Sequence, residues 1–190
     1  MAVVIAESPA GTAALRNVLG RFATGVTALL SGGPDADCPA ALVANSFTSV
    51  SLNPPLVSVC VALTSTSWSC IRAAGRLSIN ILSDGQRITC DQLARHGPDK
   101  SRGIALSTTS MGTPVLCGAL AWLECSVWQE HLAGDHTLVI LRVHDHAVID
   151  DGRPLIFFGG SYGRLSSADT RLPGVGRNRP PLAIDAECPR

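Results

Sequence analysis

Residues 44–55 read ANSFTSVSLNPP. Within it an amide, Asn45, and four hydroxyls, Ser46, Thr48, Ser49 and Ser51, crowd into a few positions. Apolar runs flank the stretch: PAALVA at 39–44 and LVSVCVAL at 56–63. Short β-branched runs bounded by turn residues read as strands. Pro54 and Pro55 deny a ladder its donors, so the pair belongs to a loop or a sheet edge. A strand needs no such density of small donors for its own stability. The stretch is therefore either an edge strand with polar outward positions or a cradle for a polar ligand.

Outward from this stretch the chain alternates strands with turns. TAALRNVLGRF (12–22) spaces Leu15, Val18, Leu19 and Phe22 as one helical face behind a Thr12 N-cap. GVTALLS (25–31) follows as a strand. After LVSVCVAL, SWSCIRAA (67–74) predicts a short helix stopped by Gly75, and RLSINIL (76–82) a strand. Ser83 and Gln86 have the spacing of a capping box for a helix to about His96, ended by Gly97. A long loop covers 96–114. ALAWLECSVWQ (119–129) and HTLVILRVHDHAVI (136–149) are two long strands joined by EHLAGD, and PLIFF (154–158) closes the set. From Ser166 the composition turns rich in Pro, Arg and Gly, which divides the chain into a domain, 1–165, and a C-terminal tail, 166–190. Strands joined by hairpins or short helices, with no strand–helix–strand alternation, predict a mainly β protein: an antiparallel barrel with a few peripheral helices.

Composition bounds the function. Of 190 residues, 46% are hydrophobic and 16% charged, enough apolar mass for a core. The formal net charge is zero, which excludes the concentrated positive surface that nucleic acid requires. No apolar run reaches the roughly 18 to 20 residues of a membrane span, and no basic segment precedes the first apolar run as in a secretory signal. Seven cysteines without a CxxC pair read as free thiols in a reducing cytosol and supply no zinc site.

There is no GxGxxG after a strand, no P-loop, no HExxH and no GxSxG. Three features remain. One is the hydroxyl stretch. The second is STSW, 65–68, where Ser65, Thr66 and Ser67 open a predicted helix whose unpaired N–H groups favour an anion. The third is GDH, 134–136, which sets His136 where a loop meets a strand. Singly, each has a plain structural alternative: an edge strand, an N-cap, a surface histidine.

In this order the three resemble the short-chain flavin reductases, whose fold is the FMN-binding split β-barrel and which serve as reductase components of two-component flavin-dependent monooxygenases. The resemblance runs from about Leu15 to Leu165, carried chiefly by SFTSVSLNPPL and GDH, with LRNVLGRFATGVTAL, GRLSINIL, GTPVLCGALAWLEC and PLIFFGGSYGRL between and after them. Ala41-Leu42-Val43 depart from the Gly-Met or Gly-Phe pair that family members commonly carry there. The resemblance implies a Greek-key antiparallel split barrel. It implies an NAD(P)H:flavin oxidoreductase that reduces FMN or FAD with NADH or NADPH and passes the reduced flavin to a separate monooxygenase. A homodimer is implied as well; Trp122 and Trp128, at alternating strand positions, are candidates for its surface, and the unpaired cysteines already argue for the cytoplasm.

By the same resemblance Ala44, Asn45, Ser46, Phe47 and Thr48 line the flavin ring, with Ser51 nearby. Ser65, Thr66 and Ser67 hold its phosphate, and Asp84 and Gln86 meet the phosphate or the adenylate half of FAD. His136 borders the nicotinamide and positions it, and Tyr162 borders the same cleft. The competing reading keeps the fold as a flavin- or haem-binding module without reductase activity; a third is an interaction protein whose barrel has lost its ligand.

Overall fold

The computed structural model describes residues 9–32 and 39–166, and the predicted tail beyond Ser166 lies outside them. Helix α1, Pro9–Leu19, precedes strands β1, Thr24–Gly25, and β2, Thr27–Ser31. Then come β3, Ala40–Ala44; β4, Thr48–Leu52; β5, Pro55–Ala62; helix α2, Thr66–Ala73; and β6, Leu77–Ile81. A 3-10 turn, Asp84–Gln86, leads into α3, Arg87–Leu93. The described residues continue with hairpin β7, Leu106–Thr108, and β8, Pro114–Leu116; the long pair β9, Ala121–Ala133, and β10, His136–Val148; and β11, Leu155–Phe158, with β12, Ser161–Arg164.

Seven strands form one antiparallel sheet in the order β3-β2-β6-β9-β10-β5-β4. Its edges, β3 and β4, are consecutive in the chain and only residues 45–47 separate them. So short a link between the two edges requires the sheet to curl round on itself, which makes it a barrel left open along one seam. Strand β2 is buried along its whole length because both of its faces are covered. Leu29 joins one core cluster with Val59, Ile71, Ile79 and Leu141. Ala28 and Leu30 point the other way, into a second with Leu82, Cys90, Leu93 and Leu155. This alternation is the period of two that a strand imposes on its side chains.

Several expectations shift. Helix α1 ends before Phe22, and the apolar face drawn from its spacing is not packed: Leu15, Val18, Leu19 and Phe22 are 47%, 67%, 62% and 76% exposed. Residues 48–52 of the hydroxyl stretch form a strand, β4, so the edge-strand reading holds for that half. The predicted long loop at 96–114 gives way at Leu106 to the β7–β8 hairpin, which runs on to Leu116. The two long strands run closer together than predicted: Ala133 pairs with His136, leaving a two-residue turn. Gly134 takes φ +64° at the first position of that turn, as a tight hairpin matched to the strand twist requires. Trp122 is buried, which removes it from any subunit surface, whereas Trp128 is exposed under the Arg142 guanidinium at 5.5 Å. Cys60, Cys70, Cys90 and Cys125 are free, but Cys117 is disulfide-bonded, so the all-thiol expectation fails there. Among the described residues no helix is long and apolar enough to cross a membrane.

Candidate functional site

Strand β5 organises the site. Pro55 opens it after the cis Asn53–Pro54 bond, and the tight turn pairs Leu52 with Pro55. Its outer neighbour β4 pairs Thr48 with Ser58, Ser49 with Val57 and, beyond a bulge, Ser51 with Leu56. Its inner neighbour β10 pairs His136 with Ala62 and Leu138 with Cys60. Thus the hydroxyl stretch and the GDH turn, about ninety positions apart in sequence, flank the two sides of one strand.

The far end of β5 delivers the third feature. The Leu63 N–H donates to the Asp135 carbonyl at 3.0 Å, and the Ser65 N–H to the Ala62 carbonyl at 2.9 Å. Ser65 then caps α2, its Oγ accepting from the Trp68 N–H at 3.3 Å. A capping oxygen that accepts keeps its own hydrogen to donate, and Thr66 and Ser67 occupy the first turn, where N–H groups lack intrahelical partners. The helix is anchored from below. The Trp68 indole N–H donates to Glu130 Oε1 at 3.1 Å, and Glu130 Oε2 pairs with Arg72 at 2.9 Å.

Around the seam, the Ala44 carbonyl accepts from Thr27 Oγ1 at 2.9 Å. Ser46 Oγ accepts from the Cys60 N–H at 2.9 Å and donates to the Cys60 carbonyl at 3.1 Å. Asn45 and Thr48 are exposed, Phe47 packs partly against the first core cluster, and the Ser51 hydroxyl accepts from the Asn53 N–H at 3.2 Å inside the turn. His136 Nδ1 lies 2.7 Å from Asp135 Oδ1. An ionised carboxylate only accepts, so Nδ1 carries the hydrogen and Nε2 points its remaining capacity elsewhere. That bond, with the ring's charge behind it, holds the Asp135 carboxyl below its ordinary value.

The remaining residues drawn from the resemblance have structural partners. Asp84 pairs with Arg153 at 3.1 Å, and its N–H donates to the Arg153 carbonyl. Gln86 is buried with both ends of its amide engaged: Oε1 accepts from the Ser83 N–H at 3.1 Å, as the capping-box spacing predicts, and Nε2 donates to the Cys117 carbonyl at 2.9 Å. Tyr162 meets Cys90 Sγ at 3.3 Å, packs edge-on against Phe157 and lies beneath Arg87, so it fastens the β11–β12 hairpin to α3. Burial, then the Cys90 contact, pushes its phenol well above the usual range. Two participants escape the sequence reading. Cys60 acts through its backbone, which no motif marks; Asp135 stands inside GDH and could have been read there.

The donor set is neutral: small hydroxyls, backbone N–H groups and a helix N-terminus beside an imidazole. It fits the carbonyl- and N–H-bearing edge and the phosphate of a flavin nucleotide. Among the described residues no three His, Cys, Asp or Glu side chains gather into a metal set.

Comparison with known proteins agrees in kind. Residues 19–166 match the model of the flavin reductase like domain. The chain is 39% identical over 147 residues to the flavin-dependent monooxygenase reductase subunit HsaB of Rhodococcus jostii (strain RHA1), spanning 77% of this chain and 74% of that protein. It is 42% identical over 154 residues to an NADH-dependent flavin reductase of Rhodococcus sp, spanning 80% and 85%. Among solved structures, nitrilotriacetate monooxygenase component B from Mycobacterium thermoresistibile superposes with a TM-score of 0.78 at 34% identity, covering 88% of this chain and 93% of that one. The NADH:FAD oxidoreductase SgcE6 of Streptomyces globisporus C-1027 does so with 0.77 at 32%, covering 85% and 96%.

Proposed function

Because this chain belongs to the flavin reductase like domain family, we propose that it is an NAD(P)H-dependent flavin reductase whose site lies along the end of β5. When both are bound, the nicotinamide supplies a hydride and the flavin takes it up; that chemistry belongs to the two molecules. This chain's residues bind, orient and exclude water. The seam residues Ala44 to Thr48, with Ser51 behind them, receive the flavin ring. Ser65, Thr66 and Ser67 take its phosphate at the start of α2. His136, held by Asp135, orients the nicotinamide. Asp84, Gln86 and Tyr162 support the walls through the contacts they already make.

The observation that carries this reading is the convergence on β5: Ser46 on Cys60, His136 beside Ala62, and Ser65 three residues further on. An all-neutral flavin seat suits a flavin that must leave reduced, for delivery to a separate flavin-dependent monooxygenase. A second copy of the chain covers the exposed apolar face of α1, giving a homodimer. The requirement for NAD(P)H and the free thiols support a cytoplasmic location, with the Cys117 disulfide the one contrary feature.

The test is anaerobic oxidation of NADH or NADPH with added FMN or FAD, followed at the nicotinamide absorbance. Catalytic turnover slowed in His136→Ala is the expected result. Tight flavin binding with no turnover for any pair would leave only a binding module.

A further inference from the structure

Thr48 pairs with Ser58 and Ser49 with Val57 along the β4–β5 ladder. Continuing that register past Thr48 sets Ser46 opposite Cys60. Yet residues 45–47 belong to no strand, and the rung at Cys60 is made by a side chain: Ser46 Oγ takes the Cys60 N–H and returns its hydrogen to the Cys60 carbonyl. Both backbone groups of Cys60 point to this side, since alternate residues of an antiparallel strand face alternate neighbours. One hydroxyl thus replaces a backbone rung. The hydroxyl has a single hydrogen, and it is spent on Cys60.

We propose that Ser46 is a positioning residue rather than a flavin ligand: its hydroxyl pins the seam to β5 while releasing the backbone of residues 45–47 from the ladder to face the flavin. A continued ladder would spend the Ser46 N–H on Cys60 and hold the Asn45 and Phe47 N–H groups in extended-strand geometry, facing away from β5. A loop with no rung would leave their directions unset, and the ordering cost would fall on flavin binding. The hydroxyl clamp satisfies Cys60 and leaves the main chain of its own segment available. This inference rests on the flavin-reductase reading and refines the role of one residue within it.

The experiment compares wild type, Ser46→Ala and Ser46→Thr in three measurements: amide exchange of Cys60 in flavin-free protein, the dissociation constant for FMN, and the KM for NADH. In Ser46→Ala the Cys60 amide should exchange about tenfold faster or more, and the FMN constant should rise by about the same factor, while KM for NADH stays within about twofold. Ser46→Thr, which keeps the hydroxyl, restores both. Weakened FMN binding with Cys60 exchange unchanged would make Ser46 a direct ligand and overturn the proposal. So would faster exchange with FMN affinity intact. If Ser46→Ala does not fold, Ser46→Cys takes its place, with Ser46→Thr still the restoring control; in Ser46→Cys the two readouts must shift together or the proposal fails. A wild-type protein that turns over no flavin would remove the parent reading, and this one with it; a wild type that turns over with uncoupled variants removes this one alone.

Discussion

His136 Nδ1 sits 2.7 Å from the carboxylate of its own neighbour, Asp135, in the two-residue turn that Gly134 makes possible. The bond fixes which ring nitrogen carries the hydrogen and the plane in which the ring lies. Asp135 is fully exposed, so the bond acts on orientation and adds little to folding.

His136→Ala should therefore lower kcat/KM for NADH by about tenfold or more, because a misplaced reactant costs rate steeply. Asp135→Ala should give a smaller loss, roughly two- to fivefold, in keeping with an exposed pair. The pH dependence has a definite sign. The Asp135 carboxyl is depressed below its ordinary 3.8, so the bond is present above that value and is lost only as pH falls through the lowered one. Between pH 5 and 8 the profile should carry no limb from Asp135. A limb near neutrality that vanishes in Asp135→Ala would contradict this.

Helix α2 yields a second expectation. Trp68 is buried and its indole N–H depends on Glu130. Glu130→Ala strands that donor and should cost about 1–3 kcal/mol in urea unfolding. Glu130→Gln keeps an acceptor and loses only the ion pair to the exposed Arg72, under about 1 kcal/mol. Since α2 presents Ser65, Thr66 and Ser67, the Ala variant should also weaken FMN binding more than the Gln variant does. Equal effects from the two would show that charge, not the indole bond, secures the helix.

Much of this was legible in the sequence, and the exceptions have physical causes. Short β-branched apolar runs between turn residues marked most of the strands because that composition is local information. Gly75 and the Ser83–Gln86 box marked element ends through backbone and capping chemistry that neighbours decide. Phe22 misled because an apolar helical face predicts burial without saying against what; here it faces outward. Trp122 and Trp128 look equivalent by alternation, but Trp128 is itself the extra residue of a bulge, skipped between the Gln129–Ile140 and Val127–Leu141 pairings. The Ser46–Cys60 clamp joins residues fourteen apart through a backbone, and no side-chain pattern records it.

Alkaline pH should expose a third consequence. Cys125 lies fully buried in β9, and burial, helped by the neighbouring Glu124 charge, pushes its thiol up to about 12 from an ordinary 9.0. A pKa raised in the folded state means the stabilisation is complete below pH 9 and is lost as pH rises from 9 through 12. The unfolding free energy should fall by about 1.4 kcal/mol per pH unit from this group in that window. Cys125→Ala should flatten that slope, and an unchanged slope would assign it elsewhere. At pH 8 a thiol reagent should modify the exposed Cys60 and Cys70 quickly, and Cys90 and Cys125 only on unfolding.

The buried carboxylate of Glu124 supports the last prediction. It is inaccessible to solvent; Oε1 receives the Thr113 hydroxyl at 2.8 Å and lies 3.7 Å from Arg76, while Oε2 has no partner among the described residues. Thr113 adjoins β8, so this bond holds the β7–β8 hairpin to the sheet, together with Ser78 donating to the Pro114 carbonyl and Asn80 accepting from the Leu116 N–H. A charge already short of one partner should tolerate no further loss. Thr113→Val should cost about 2–3 kcal/mol, since it removes the better of the two contacts to a buried ion. Thr113→Ser should keep most of the stability. Glu124→Leu placed on Thr113→Val should recover part of the loss, because an apolar pair buries no uncompensated charge. Urea unfolding of wild type, Thr113→Val, Glu124→Leu and the double variant measures the cycle. Losses that simply add would mean the hydroxyl and the carboxylate are not coupled. None of the residues in this network is proposed to hold flavin or nicotinamide, so the KM values of Thr113→Ser should match those of wild type.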